Sequence, residues 1–289
     1  MKKILIVLLG SLLILGGCFQ MNEKTEEEKE QEGTTPVQDY VGQGFSFVDG
    51  DKSAERVKKQ EEEIKQEAIN YMKTTYKTDV KVNNVVPARN GAVVMVECEE
   101  PIQFHTSVIV SLVLNKDDVG SARSDEGEAE KAIVRGLYAK AYEEEFKNLD
   151  AFSEEIAKKH ELFGMKNEAI DKTSTAGFVK SHYFISLSSL SFPSVYSAFL
   201  ENQGVSADKL KELFAKDDPK RQYISIPMEF YSKEDKLPKQ EVAGKISVEL
   251  KQKEGLPKGT YGITIYKNPI INRVGLPGGE NVDVRDIVK

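Results

Sequence analysis

The chain of 289 residues carries 40 Lys and Arg against 47 Asp and Glu, for a formal net charge of −7, with three histidines and two cysteines. An acidic chain with no basic, aromatic-laced stripe repels the phosphate backbone, which excludes nucleic acid as a partner. Two cysteines exclude a disulfide-stapled scaffold, so the fold has to rest on an apolar core, and the chain is long enough to build one.

Lys2 and Lys3 precede an apolar run over residues 4–15. A basic start and a short apolar stretch make up a signal peptide, and the run falls short of the about 20 residues that a membrane-spanning helix needs. Leu15-Gly16-Gly17-Cys18 closes it and resembles the lipobox of bacterial lipoproteins. That resemblance implies a signal peptide over residues 1–17, a diacylglyceryl group of the palmitate type on Cys18, and the lipid bilayer as a partner. The chain is then held on the outer face of the cytoplasmic membrane, extracytoplasmic and lipid-anchored. A secretory signal with a chance cysteine is the alternative. Residues 18–39, which include EKTEEEKEQEGTTP, hold too little apolar surface to order themselves and read as an acidic flexible tether.

Order is expected from Tyr40, with Asp49-Gly50 as a turn. Val57, Ile64, Ala68, Tyr71, Met72 and Thr75 recur at three- and four-residue steps and predict one helix over residues 53–76. Two β-branched runs flank Asn90-Gly91, a type I′ hairpin signal, and Pro87 points to a strand end or edge. FHTSVIVSLVLN adds a third strand. Phe104, Thr106, Val108, Val110, Leu112 and Leu114 share one face, and His105, Ser107, Ile109, Ser111 and Val113 the other. Asp125 and Glu128 form a capping-box pattern ahead of a second long helix, with a break at Asp150. These elements give α-β-β-β-α for a first lobe, residues 40–170. Residues 171–289 read as a second α+β lobe. It holds a strand in FVKSHYFISLSSLSF, a helix starting at Pro193 and a helix capped by Ser206. A strand follows whose Pro227 argues for an edge or bulge, then a helix ended by Gly255, a strand in GTYGITIY and a loose tail over residues 275–289. The fold class is α+β, with long helices packed on antiparallel sheet in two lobes.

YVGQGFSFVDGDKSAER, DVKVNNVVPARNGAVV, FHTSVIV, RSDEGEAEKAIVRGLYAKAYEEEFKNLD and GLPKGTYGI resemble an uncharacterised family of Gram-positive lipoproteins, the domain of unknown function numbered 1672. The resemblance implies a surface lipoprotein and brings no activity, substrate or site residue with it.

Residues able to do chemistry are sparse. His160 ends a predicted helix, where a cation suits the dipole, and His182 reads as a packed surface side chain in an aromatic strand. His105 shares a strand face with Ser107 and Ser111, without a third group or oxyanion donors. Ser206-Ala207-Asp208-Lys209 matches S-x-x-K, but its partner motifs are missing, so it reads as a helix cap. Cys98 lies among Glu97, Glu99 and Glu100, which suits an inert buried thiol. Scattered histidines are thin material for a metal site and no cofactor motif is present, so neither metal nor cofactor is expected. Tyr183, Phe184, Phe192, Tyr196 and Phe199, interleaved with serines, form the candidate binding surface, against a competing reading as core. The expected function is non-enzymatic binding of an envelope protein or small ligand. The alternatives are an envelope hydrolase using His105 with nearby serines, and an immunity or protective lipoprotein.

Overall fold

A computed structural model describes residues 33–219 and 223–289. The signal-peptide and Cys18 expectations lie outside these residues. Among the described residues no helix is long and apolar enough to cross a membrane.

Order begins before Tyr40. Strand β1 (Thr34–Pro36) pairs antiparallel with residues 269–271, and Val37 and Tyr40 behind it are fully buried. The segment expected as the end of the tether is therefore part of the fold, because TTPVQDY supplies apolar anchors that the acidic stretch before it lacks. The first helical segment divides into α1 (Ala54–Lys59) and α2 (Glu61–Tyr76), with Gln60 leaving helical geometry between them. Val57, Ile64, Ala68 and Met72 are buried as their spacing predicts. Thr75 is exposed and Tyr76 takes its place, since the buried stripe steps by four from Ile64 onward.

The β-branched runs form a four-stranded antiparallel sheet, β2 (Lys81–Ala88), β3 (Gly91–Cys98), β4 (Phe104–Leu112) and β5 (Val119–Arg123), in that order. The β2–β3 hairpin is where Asn-Gly put it, shifted by one residue. Arg89 and Asn90 make the turn, and Gly91 already pairs with Ala88. Gly91 is needed for a different reason: a Cβ there would stand 2.3 Å from the Val110 carbonyl oxygen of β4. Pro87 lies on the edge strand as expected. The even residues of β4 are buried from Phe104 on, while Leu114, past the strand end, is exposed. Strand β5 is an addition to the predicted α-β-β-β-α order.

Helix α3 (Glu128–Ala141) follows Gly127 in a left-handed conformation, and Asp125 receives the Glu128 amide through its backbone oxygen. The capping box is thus absent. The break to α4 (Glu143–Lys159) falls at Tyr142 instead of Asp150. Helices α2 and α3 pack across the face of the sheet that carries Ala92, Val94, Val96 and Cys98.

After β6 (Leu162–Phe163) comes the short α5 (Asn167–Thr173), which crosses back onto β2 and β3. The aromatic-serine segment gives two short strands, β7 (Val179–Lys180) and β8 (Tyr183–Phe184), then α6 (Pro193–Glu201) with Pro193 in its first turn. Helix α7 (Ala207–Asp217) is capped by Ser206, whose Oγ accepts the Lys209 amide at 3.3 Å. Strand β9 (Ser225–Ser232), α8 (Gln240–Gln252) and β10 (Thr260–Tyr266) form a β-α-β unit, with β9 and β10 a parallel pair in otherwise antiparallel sheets. Strand β9 is interior. Pro227 is tolerated there because the amides of Ser225 and Glu229 serve the flanking chain, at Ser186 and His182, and the ladder is interrupted between them. The tail is ordered as well. After β11 (Pro269–Ile271) and β12 (Leu276–Pro277), β13 (Asn281–Val288) pairs along β10 and buries Ile287. The second sheet runs β13-β10-β9-β8-β7, with β6 also on β9, and a third is β1-β11-β12. The fold is α+β. One apolar core runs through both halves, joining Val108 and Leu137 to Phe199, Phe230 and Ile263.

Candidate binding cleft

In β9 the side chains alternate. Ile226, Met228 and Phe230 enter the main core, and Glu229 and Tyr231 point to the other face. On that face a cleft of about 230 Å³ opens between α5, the β7–β8 hairpin, β9 and residues 274–276. Met165, Ile170, Tyr183, Phe184, Tyr231 and Leu276 give it apolar walls, and Glu229, Lys180, Ser174 and Ser181 give it polar groups. Burial pushes the Glu229 carboxyl above the usual carboxylate range, with the Tyr266 hydroxyl, 3.5 Å from Oε1, pulling the other way. The ammonium of Lys180 is engaged elsewhere, 2.9 Å from Gln103 Oε1 and over the Phe178 ring. The arrangement is an apolar slot with a single desolvated carboxyl as its buried polar group.

The five aromatic residues expected as one surface are separated. Tyr183 and Phe184 line the cleft. Phe192 and Phe199 are fully buried in the main core, and Tyr196 is partly buried on α6. The reason is periodicity: Phe192, Val195 and Phe199 make the inward stripe of α6, so aromatic content there reports packing. Glu229 was missed by sequence reasoning, although an acid in the middle of an apolar strand, SIPMEFYS, is a signal that it serves something.

His105 is 2% exposed and projects from the sheet face opposite the main core. Gly177 fixes its backbone through a two-way bridge, His105 N to Gly177 O at 2.8 Å and the reverse at 3.0 Å. Gly177 has a φ of +73°, and a Cβ there would stand 3.0 Å from the Ala132 Cα, so only glycine allows this approach. The ring Nε2 lies 3.0 Å from Asp171 Oδ1 on α5 and 3.6 Å from Glu97 Oε2 on β3. Nδ1 has no partner. Among the described residues neither ring nitrogen meets a serine hydroxyl, so the nucleophile–base contact of the hydrolase reading is not formed there. Glu97 is buried as well. Burial works to raise its pKa, and Asn83, His105 and Lys81 together outweigh it and bring it below the usual range.

The remaining candidates are structural. His182 is buried and stacks on Phe230 at 5.2 Å between centroids, where burial lowers its pKa. It is a core side chain, not a surface one. His160 caps α4 and reaches Glu249 at 3.4 Å. Cys98 is fully buried, and burial pushes its thiol up to about 11.

The family described as protein of unknown function (DUF1672) matches residues 27–287. The fold is similar to the crystal structure of a DUF1672 family protein from Staphylococcus aureus subsp. aureus Mu50, with a TM-score of 0.73 over 87% of this chain and 97% of that one. The two are 20% identical, a level at which the likeness bears on the fold alone. No curated protein matches the chain. The family match runs from before β1 into β13, and the chain belongs to the DUF1672 family.

Proposed function

We propose that the chain is an extracytoplasmic, lipid-anchored envelope protein that acts by binding, with the cleft around Glu229 as its pocket. The observation that supports this is the pairing of apolar walls with one buried carboxyl, whose pKa burial raises. At about 230 Å³ the cleft is smaller than the about 300–1,000 Å³ of drug-sized pockets. The occupant is therefore a small amphipathic molecule, or one end of a larger one, whose apolar body fills the slot while an amine or hydroxyl meets Glu229. An amine is favoured, because its positive charge would offset the desolvation that Glu229 suffers on ionising.

The test is titration of the full chain with short alkylamines, and with alcohols of the same length, followed by calorimetry. Saturable amine binding that Glu229→Gln weakens is the expected outcome. Absence of saturable binding by either series, or binding that Glu229→Gln leaves unchanged, would sink the assignment.

A further inference from the structure

The geometry points to a divalent transition-metal site, of the Zn²⁺ or Mn²⁺ class, held by Glu97, His105 and Asp171. It lies on the sheet face covered by α5, and it stands apart from the reading of the cleft.

Two consecutive strands and a helix distant in sequence converge there. Glu97 on β3 and His105 on β4 are direct cross-strand partners, so their side chains rise from the sheet side by side. Asp171 comes down on them from α5, which packs against β2 and β3. One ligand atom from each residue lies within 4.8 Å of the others. Tetrahedral ligands at zinc distances of about 2.0–2.1 Å are about 3.3 Å apart. The two separations at His105 Nε2, 3.0 and 3.6 Å, bracket that edge length.

The donor set narrows the ion. An imidazole beside two carboxylates suits a divalent transition ion that accepts nitrogen and oxygen together, whereas Ca²⁺ takes six to eight oxygens and Mg²⁺ holds its waters. Charge favours a cation there as well: two carboxylates face one imidazole. Three protein ligands leave a fourth position. Asp171, its side chain 36% exposed, is the member of the trio that reaches solvent.

The main competitor is Lys81, whose Nζ lies 3.1 Å from Glu97 Oε2 and also pairs with Glu99. Lys81 is half-exposed, so it can keep Glu99 and yield Glu97 to an ion. Nδ1 of His105 does not discriminate, since no described residue partners it whether Nε2 holds a proton or a metal.

The experiment uses the untagged full chain in detergent, freed of metal with a chelator. It is titrated with ZnCl₂, MnCl₂ and MgCl₂ in a calorimeter, and with CoCl₂ while visible absorption is followed. The expected result is one Zn²⁺ or Mn²⁺ per chain and no Mg²⁺ at the same concentrations, with a cobalt spectrum that reports a nitrogen ligand. Asp171→Asn should weaken binding by at least about tenfold, the scale seen even for losing a residue behind a ligand. Lys81→Met should tighten it by removing the competing cation. Glu97→Gln and His105→Gln are read only where circular dichroism shows a folded metal-free protein, and otherwise Asp171→Asn decides. Wild type that binds neither Zn²⁺ nor Mn²⁺ would show that the trio is an internal ion-pair cluster. Binding left intact by Asp171→Asn would place the metal elsewhere, and either result overturns the site.

Discussion

Replacing Tyr183 by Phe removes one oxygen atom and leaves the ring. The ring is 2% exposed and rests near Phe146, 6.0 Å between centroids, and Phe178, 6.4 Å, contacts that Phe keeps. The lost hydroxyl donates to Asp150 Oδ1 at 2.6 Å and ties β8 to α4. Burial, and then the nearby Asp150 charge, push the phenol far above its ordinary pKa, so it remains a donor at every working pH. A hydrogen bond to a charged group contributes about 1.5–3 kcal/mol. Asp150 is partly exposed, so water recovers part of the loss and the cost should fall near about 1.5 kcal/mol. For a domain of this size that lowers Tm by about 3–6 °C. Urea unfolding should show a lower midpoint with an unchanged slope. Asp150→Asn and the double variant complete a cycle whose coupling should reach about 1 kcal/mol. A Tyr183→Phe protein that melts with the wild type, or a cycle with no coupling, would mean that this bond does not hold β8 in place.

Gly91→Ala should destabilise by about 1–3 kcal/mol in urea unfolding, because the new Cβ would stand 2.3 Å from the Val110 carbonyl oxygen and the strands must part. Val110→Asp places a carboxylate at a fully buried position in β4 and should cost several kcal/mol; a soluble variant with an unchanged melting temperature would contradict the strand face. Glu229 binds its proton more tightly in the folded chain than in the unfolded one, so its contribution to stability is complete below the ordinary glutamate pKa and is lost as pH rises through the raised folded value. Glu229→Gln should remove that decline, which thermal melts across the acid-to-neutral range would detect. Cys18→Ser should abolish fatty-acid labelling in cells, and detergent but not high salt should release the wild type from membranes; label on the variant would end the anchor assignment.

Long periodic segments were legible in the sequence. The stripe from Val57 to Met72, the alternation of β4 and the Ser206 cap all follow from spacing and capping chemistry alone. Tertiary context decided the misses. Strand β13 reads as loose because NVDVRDIV is charged on one side, and only pairing along β10 reveals Ile287 as its anchor. Pro227 could enter an interior strand because the neighbouring chain leaves a gap opposite it. Gly91 looked like a turn residue and is a close-approach residue. The cleft and the Glu97–His105–Asp171 cluster were the least legible, since their members come from separate elements and no local spacing joins them. What sequence did offer, unrecognised, was an acid inside each of two apolar strands, VVMVEC and SIPMEFYS.

The attachment of β1 has a mechanical consequence. A pull that enters the fold at residue 33 loads β1 first, and β1 is fastened by three register pairs, beginning with Thr34 to Ile271. Behind it Val37 and Tyr40 pack with Ala169, Tyr231 and Ile270 in a cluster separate from the main core. This clasp can therefore open while both large sheets stay closed, as a local unfolding unit that yields before the body does. Its opening would not be silent, because Tyr231 belongs both to the clasp and to the wall of the cleft. Tension on the leading segment would loosen that wall, and a molecule seated against Glu229 would resist the pull by holding the clasp shut.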